Sequence, residues 1–192
     1  MQIFERIQTR IHYHLLKQEL SRHRVRRCST VLDDAHRIGV LFDASQLEQK
    51  QVVLDFVANL REEGKSVNLL AFVDRSLKGK NQPFATFSNK DLDWALRPQS
   101  SVVNDFLGKP FDLLLIFSQK EIVPVEYIAA MSQARFRVGM ASEKTYCYDL
   151  MIDAPKAGGL QAFINQVVFY LKKMKPTSTA TTAAAKDALI LV

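Results

Sequence analysis

The chain has 192 residues, a net charge of +6 and 47% apolar side chains, the profile of a globular protein with enough length to bury one sizeable core. No apolar run approaches the ~20 residues of a membrane-spanning helix, and Glu5, Arg6 and Arg10 interrupt the stretch where a secretory leader keeps its apolar core. Cys28 and Cys147 are too few for a disulfide framework or a zinc site, so both are expected reduced, in a cytoplasmic protein.

The first element reads as a helix. Ile3, Ile7, Ile11, Leu15 and Leu20 recur at near-helical spacing, flanked by Phe4 and Leu16, with arginine, glutamine and histidine on the other face. This basic amphipathic segment, residues 1–28, fades into a linker near Arg24 to Ser29, and Val31 and Leu32 are candidates for a short edge element. Arg37 to Phe42 is an apolar strand ending in Asp43-Ala44-Ser45. An amphipathic helix, Gln46 to Glu63, stops at Gly64, and a second strand, Val67 to Val73, ends at Asp74. That is a βαβ unit.

A basic loop, Arg75 to Gln82, leads to a short strand at Phe84 to Phe87. Ser88 then caps a helical turn holding Leu92 and Trp94. Ser100 and Ser101 cap a helix at Val102 to Leu107, and Phe111 to Phe117 (FDLLLIF) is the most strand-like segment of the chain. Pro124 opens a helix to about Ala134. Strands follow at Arg135 to Met140 and Leu150 to Asp153. Gly158-Gly159 opens a last helix with Leu160, Phe163, Ile164, Val167, Val168 and Leu171 inward, and residues 175–192 form a flexible low-complexity tail. Residues 37–174 are therefore expected to be one three-layer, Rossmann-like α/β domain with a mostly parallel sheet of about five strands.

The chemistry is less legible than the fold. In open α/β sheets, ligands bind beyond the C-terminal strand ends, which here carry Asp43, Asp74 and Ser118. These could line a strand-end pocket, or could simply be polar loop residues and helix caps. No glycine-rich phosphate loop of either common pattern occurs, so no cofactor is expected. The central strand ends in Ser118 where a phospho-accepting aspartate would be needed, and no Ser/His/Asp or Cys/His catalytic set can be built. All four histidines (His12, His14, His23, His36) lie at or before residue 36, and those of the first helix are expected at its surface. His12 and His14, two apart, sit on different helix faces and do not form a metal pair.

Charge carries the strongest signal. Met1 to Arg27 holds seven basic side chains against Glu5 and Glu19, so +5 of the net +6 lies in 27 residues. Arg22, Arg24, Arg26 and Arg27 could neutralise the phosphates of RNA or a ribonucleoprotein. Tyr13 and Phe4 are the only aromatics near in sequence, so no stacking platform is evident. A solvated helix face is the competing reading.

The string NKDLDWALRPQSSVVNDFLGKPFDLLLIF, followed by ARFRVGMASE and DLMID, resembles an uncharacterised bacterial domain family of unknown function. Its members share a basic N-terminal helix and FDLLI-like and frVG-like strands. The resemblance implies a Rossmann-like fold and supplies no catalytic residues. Phe111 to Gly139 also resembles a piece of the N-terminal domain of heptosyltransferase-like glycosyltransferases, although no second domain of that kind is expected here. The leading expectation is a non-enzymatic binding or scaffolding module for an acidic partner. The alternative is a small sugar- or nucleotide-handling domain. Self-association or membrane-surface contact through the first helix is a third possibility.

Overall fold

The computed structural model describes residues 2–73, 83–153 and 157–175. Its elements run α1 (Gln2–Arg22), β1 (Arg37–Asp43), α2 (Leu47–Glu62), β2 (Ser66–Phe72), β3 (Ala85–Phe87), α3 (Ser101–Leu107), β4 (Leu113–Phe117), α4 (Val123–Met131), β5 (Arg137–Met140), β6 (Leu150–Ile152) and α5 (Gly159–Lys173). The strands form one all-parallel sheet in the order β3-β2-β1-β4-β5-β6. The sheet has six strands where about five were expected, because β3 and β6 are three-residue edges.

The centre of the sheet is apolar on both sides, as a parallel sheet covered by helices requires. All five residues of β4 are buried, and their alternation feeds two cores. Leu113, Leu115 and Phe117 face α2 and α5, packing among Val53, Val57, Leu60, Phe163 and Val167. Leu114 and Ile116 face α3 and α4, packing among Val103, Phe106, Val125 and Ile128. This is the three-layer Rossmann-like architecture. Gly64, after α2, adopts φ +79°, the left-handed end that only glycine takes without strain.

Several local expectations shift. Val31 and Leu32 are buried in a turn and form no strand. The helical turn after β3 is a 3-10 turn at Asn89–Asp91, before Leu92 and Trp94, and Ser88 with Asp91 forms a reciprocal capping box there. Ser100 makes no capping bond to α3. β4 and β5 begin two residues later than the apolar runs suggest, and α4 stops at Met131. Asp74, the Arg75 to Gln82 loop and the tail beyond Lys175 lie outside the described residues.

α1 lies outside the three layers, against α4. A small third core joins Leu16 to Ala130 and Cys147, with Tyr13, Leu20, Tyr127 and Met131 around it. Among the described residues no helix is long and apolar enough to cross a membrane.

Candidate functional site

The face by which α1 docks differs from the one its apolar spacing suggests. Ile7 is 54% exposed, whereas His12 and Leu16, one turn apart, are fully buried. The contact is largely polar. His12 Nδ1 donates to the Ala95 carbonyl at 2.7 Å, Tyr13 donates to Glu126 at 2.7 Å, and Glu19 accepts from Tyr127 and from Arg97 at 2.7 and 2.8 Å. Lys144 Nζ sits 4.8 Å from the Tyr13 ring centroid and bonds to Glu121 and Glu126 at 2.8 and 2.9 Å. Burial opposes the Lys144 charge, but these partners outweigh it and hold the amine above its ordinary range.

His12 is therefore a core residue and not the surface histidine that a basic helix implied. Its Nε2 has no partner, and burial lowers its pKa against the opposing pull of the Ala95 bond and of Glu126, Asp93 and Glu19. The consequence is a pH dependence. Below about 6.5 the unfolded chain protonates this imidazole while the folded one does not, so the unfolded state binds more protons and stability falls with pH. The loss begins near that pH and continues down to the folded value. Thermal melts across the acid range should show it, and His12→Gln should have a flatter slope. An unchanged slope in that variant would mean that His12 does not titrate differently on folding.

The four arginines beyond the middle of α1 separate in the structure. Arg22, Arg24 and Arg26 are exposed, as are Arg6, Arg10 and Lys17 earlier on the helix. Helical spacing stacks Arg6, Arg10 and Lys17 along one side. Arg27 is different. Its guanidinium donates to the carbonyls of Ala134 and Ser132 just past α4, and burial with nearby Arg137 pushes its pKa down to about 10. It works with Arg137, which bonds to the Ala129 and Ala130 carbonyls of the last turn, at the negative end of that helix. Arg27 is a structural cap, so three of the four arginines remain open to a partner.

Sequence proximity missed an aromatic that the fold brings to α1. The turn after the 3-10 segment is held by Asp93, whose carboxylate accepts from the Ala95 and Arg97 amides and from the Arg97 guanidinium, at 2.8, 2.9 and 2.9 Å. An antiparallel bridge joins Leu92 to Pro98. Leu96 takes φ +59°, a left-handed conformation that costs a leucine ~1–3 kcal/mol. The turn is fastened to α1 at three places: Gln8 to the Trp94 carbonyl at 2.7 Å, His12 to Ala95, and Glu19 to Arg97. Trp94 itself is 67% exposed. The only sequence signal was a tryptophan in a polar, turn-forming stretch.

At the strand ends, β1 and β4 flank the point where the sheet's two halves diverge, the place where this fold class binds ligands. Asp43 is buried there, accepting from the Ser45 amide at 3.0 Å and pairing with Lys120 at 3.2 Å. Gln49 and Gln119 bond across the same gap at 2.7 Å. Ser118 Oγ donates to the Lys120 carbonyl and lines a cavity of about 210 Å³ with Glu121, Glu126, Ser142 and Tyr148, without Asp43. Asp43 and Ser118 do not share this cavity. Among the described residues no group of three or more His, Cys, Asp or Glu is placed to hold a metal ion.

The model of a family of unknown function matches residues 8–174, which takes in most of α1 and every strand. No curated protein matches.

Proposed function

Starting from a chain that belongs to that family of unknown function, DUF6913, we propose that it is a non-enzymatic binding protein whose α1 and following arm contact the phosphates of RNA. The supporting observation is how α1 sorts its charges. Glu19 turns inward to Arg97 and Tyr127, while Arg6, Arg10, Lys17, Arg22, Arg24 and Arg26 face solvent, and no described acidic side chain pairs with them. A surface of one sign, without a matching acidic row, attracts a polyanion and concentrates it locally. Among the described side chains of α1, residues 6–22, Ile7 is the one large aliphatic that is exposed. That is a poor match for the broad apolar face with which a helix enters a bilayer surface.

The test is binding of a labelled single-stranded RNA to the full chain and to the triple variant Arg22→Ala, Arg24→Ala, Arg26→Ala, over a range of salt concentrations. Each phosphate contact contributes about 0.7 to the log–log salt slope for single strands, so the triple variant should bind more weakly and with a slope flatter by about 2. Arg27→Ala should instead lower the melting temperature, because it uncaps α4. Unchanged affinity in the triple variant, or no RNA binding by the wild type at low salt, would refute the reading.

A further inference from the structure

We infer that Trp94 is a stacking platform for an unpaired base of single-stranded RNA, an inference that rests on the reading of α1 as a phosphate-binding helix. Trp94 is the chain's one tryptophan, and large rings are normally drawn into cores because they bury so much apolar area. Here the surroundings are arranged so that the ring stays out. Asp93 organises the backbone that follows it, Leu96 accepts a left-handed conformation two residues on, and Arg97 is held between Asp93 and Glu19. Strain maintained by a surrounding network is a mark of a functional turn. The backbone that carries the ring is thus fixed in advance, which lowers the ordering cost of binding.

The position suits a base better than a protein pocket. Gln8 bonds directly to the Trp94 carbonyl, so the backbone of Trp94 lies beside the first half of the helix that carries Arg6 and Arg10. Arg6, Arg10 and Lys17 lie on the face of that helix opposite Gln8, and a helix is about 10–12 Å across with its side chains. Single-strand binders combine these two parts, a positive track for the backbone and an aromatic face for the bases. Within the turn, Ala95 is buried and Lys90 lies exposed on the preceding 3-10 turn. Neither of these two positions adds a large exposed apolar side chain to the turn, as a patch of the kind protein partners use would.

A single tryptophan makes the test direct, because indole fluorescence reports Trp94 alone. The full chain is titrated at low salt with a single-stranded oligouridylate and, separately, with heparin, a polyanion without bases. Oligouridylate should quench the fluorescence and heparin should not. Trp94→Leu should weaken oligouridylate binding about 10- to 100-fold while leaving heparin affinity and the salt slope unchanged, and Trp94→Phe should recover part of the loss. The exposed site makes misfolding of these variants readily detectable by a melt.

If oligouridylate binds without quenching, or binds Trp94→Leu as tightly as wild type, the stacking role is overturned and the phosphate-binding reading of α1 stands. An equal loss of heparin binding in Trp94→Leu also overturns it. So does a dimer on a sizing column that this substitution abolishes, which would make the ring a protein contact. If no RNA binds the wild type at all, both readings fall together.

Discussion

Arg137→Ala is expected to cost about 3–5 kcal/mol of folding stability, the range for removing one partner of a buried ion pair. Arg137 is 7% exposed, and its guanidinium meets Asp149 on both nitrogens of the fork at 2.9 Å. Its third nitrogen donates to the Tyr146 carbonyl at 2.9 Å and approaches the carbonyls ending α4. One side chain thus ties β5, the loop before β6 and the C-terminus of α4. Alanine leaves Asp149 with only the backbone amide of residue 137 and takes the guanidinium donor from the Tyr146 carbonyl, in a site too covered for water to replace it fully. Lysine should rescue poorly, because a point charge cannot make the two-pronged contact. At about 2–4 °C per kcal/mol for a chain of this size, the melting temperature should drop by roughly 10 °C. A denaturant midpoint that hardly moves would show that the fork contributes little.

Phe117→Ala should be about as damaging, again about 3–5 kcal/mol. Phe117 ends β4 and is 1% exposed. Its ring meets Phe56 of α2 edge-on at 5.6 Å and Phe163 of α5 at 6.3 Å. It is the wedge by which both helices of one layer grip the sheet, so its removal opens a cavity between three elements that cannot all move inward. Phe117→Leu, which fills more of the space, should cost visibly less in the same denaturant titration. Equal losses for the two variants would point to the aromatic edge contacts, and not to volume, as the source of the stability.

Much of the fold was written in local pattern. Within FDLLLIF the run LLLIF is apolar without alternation, and a strand of that kind is buried on both faces wherever it goes. Gly64 marked the end of α2, and the capping box of Ser88 and Asp91 is built from residues three apart. The three-residue edges β3 and β6 were also legible, each within one residue of its expected span, although a periodicity of two has hardly begun in three residues.

The first helix failed in an instructive way. Its apolar repeat singled out Ile7, which the structure exposes, because periodicity weighs only hydrophobic side chains. The docking of α1 instead runs through His12, Tyr13 and Glu19, whose partners, Ala95, Glu126, Tyr127 and Arg97, lie about 80 to 110 positions away.

By itself, then, the sequence determined the layered parallel architecture and the concentration of positive charge at the N-terminus. Both are sums over neighbouring residues and need no knowledge of the fold. Only the tertiary structure decided which charges are available and what stands beside them. It turned Arg27 into a cap for α4, closed Asp43 against Lys120, and drew Trp94 to a helix that begins more than 80 residues earlier. Those outcomes depend on which distant groups must satisfy one another once water is excluded, and no local spacing encodes that.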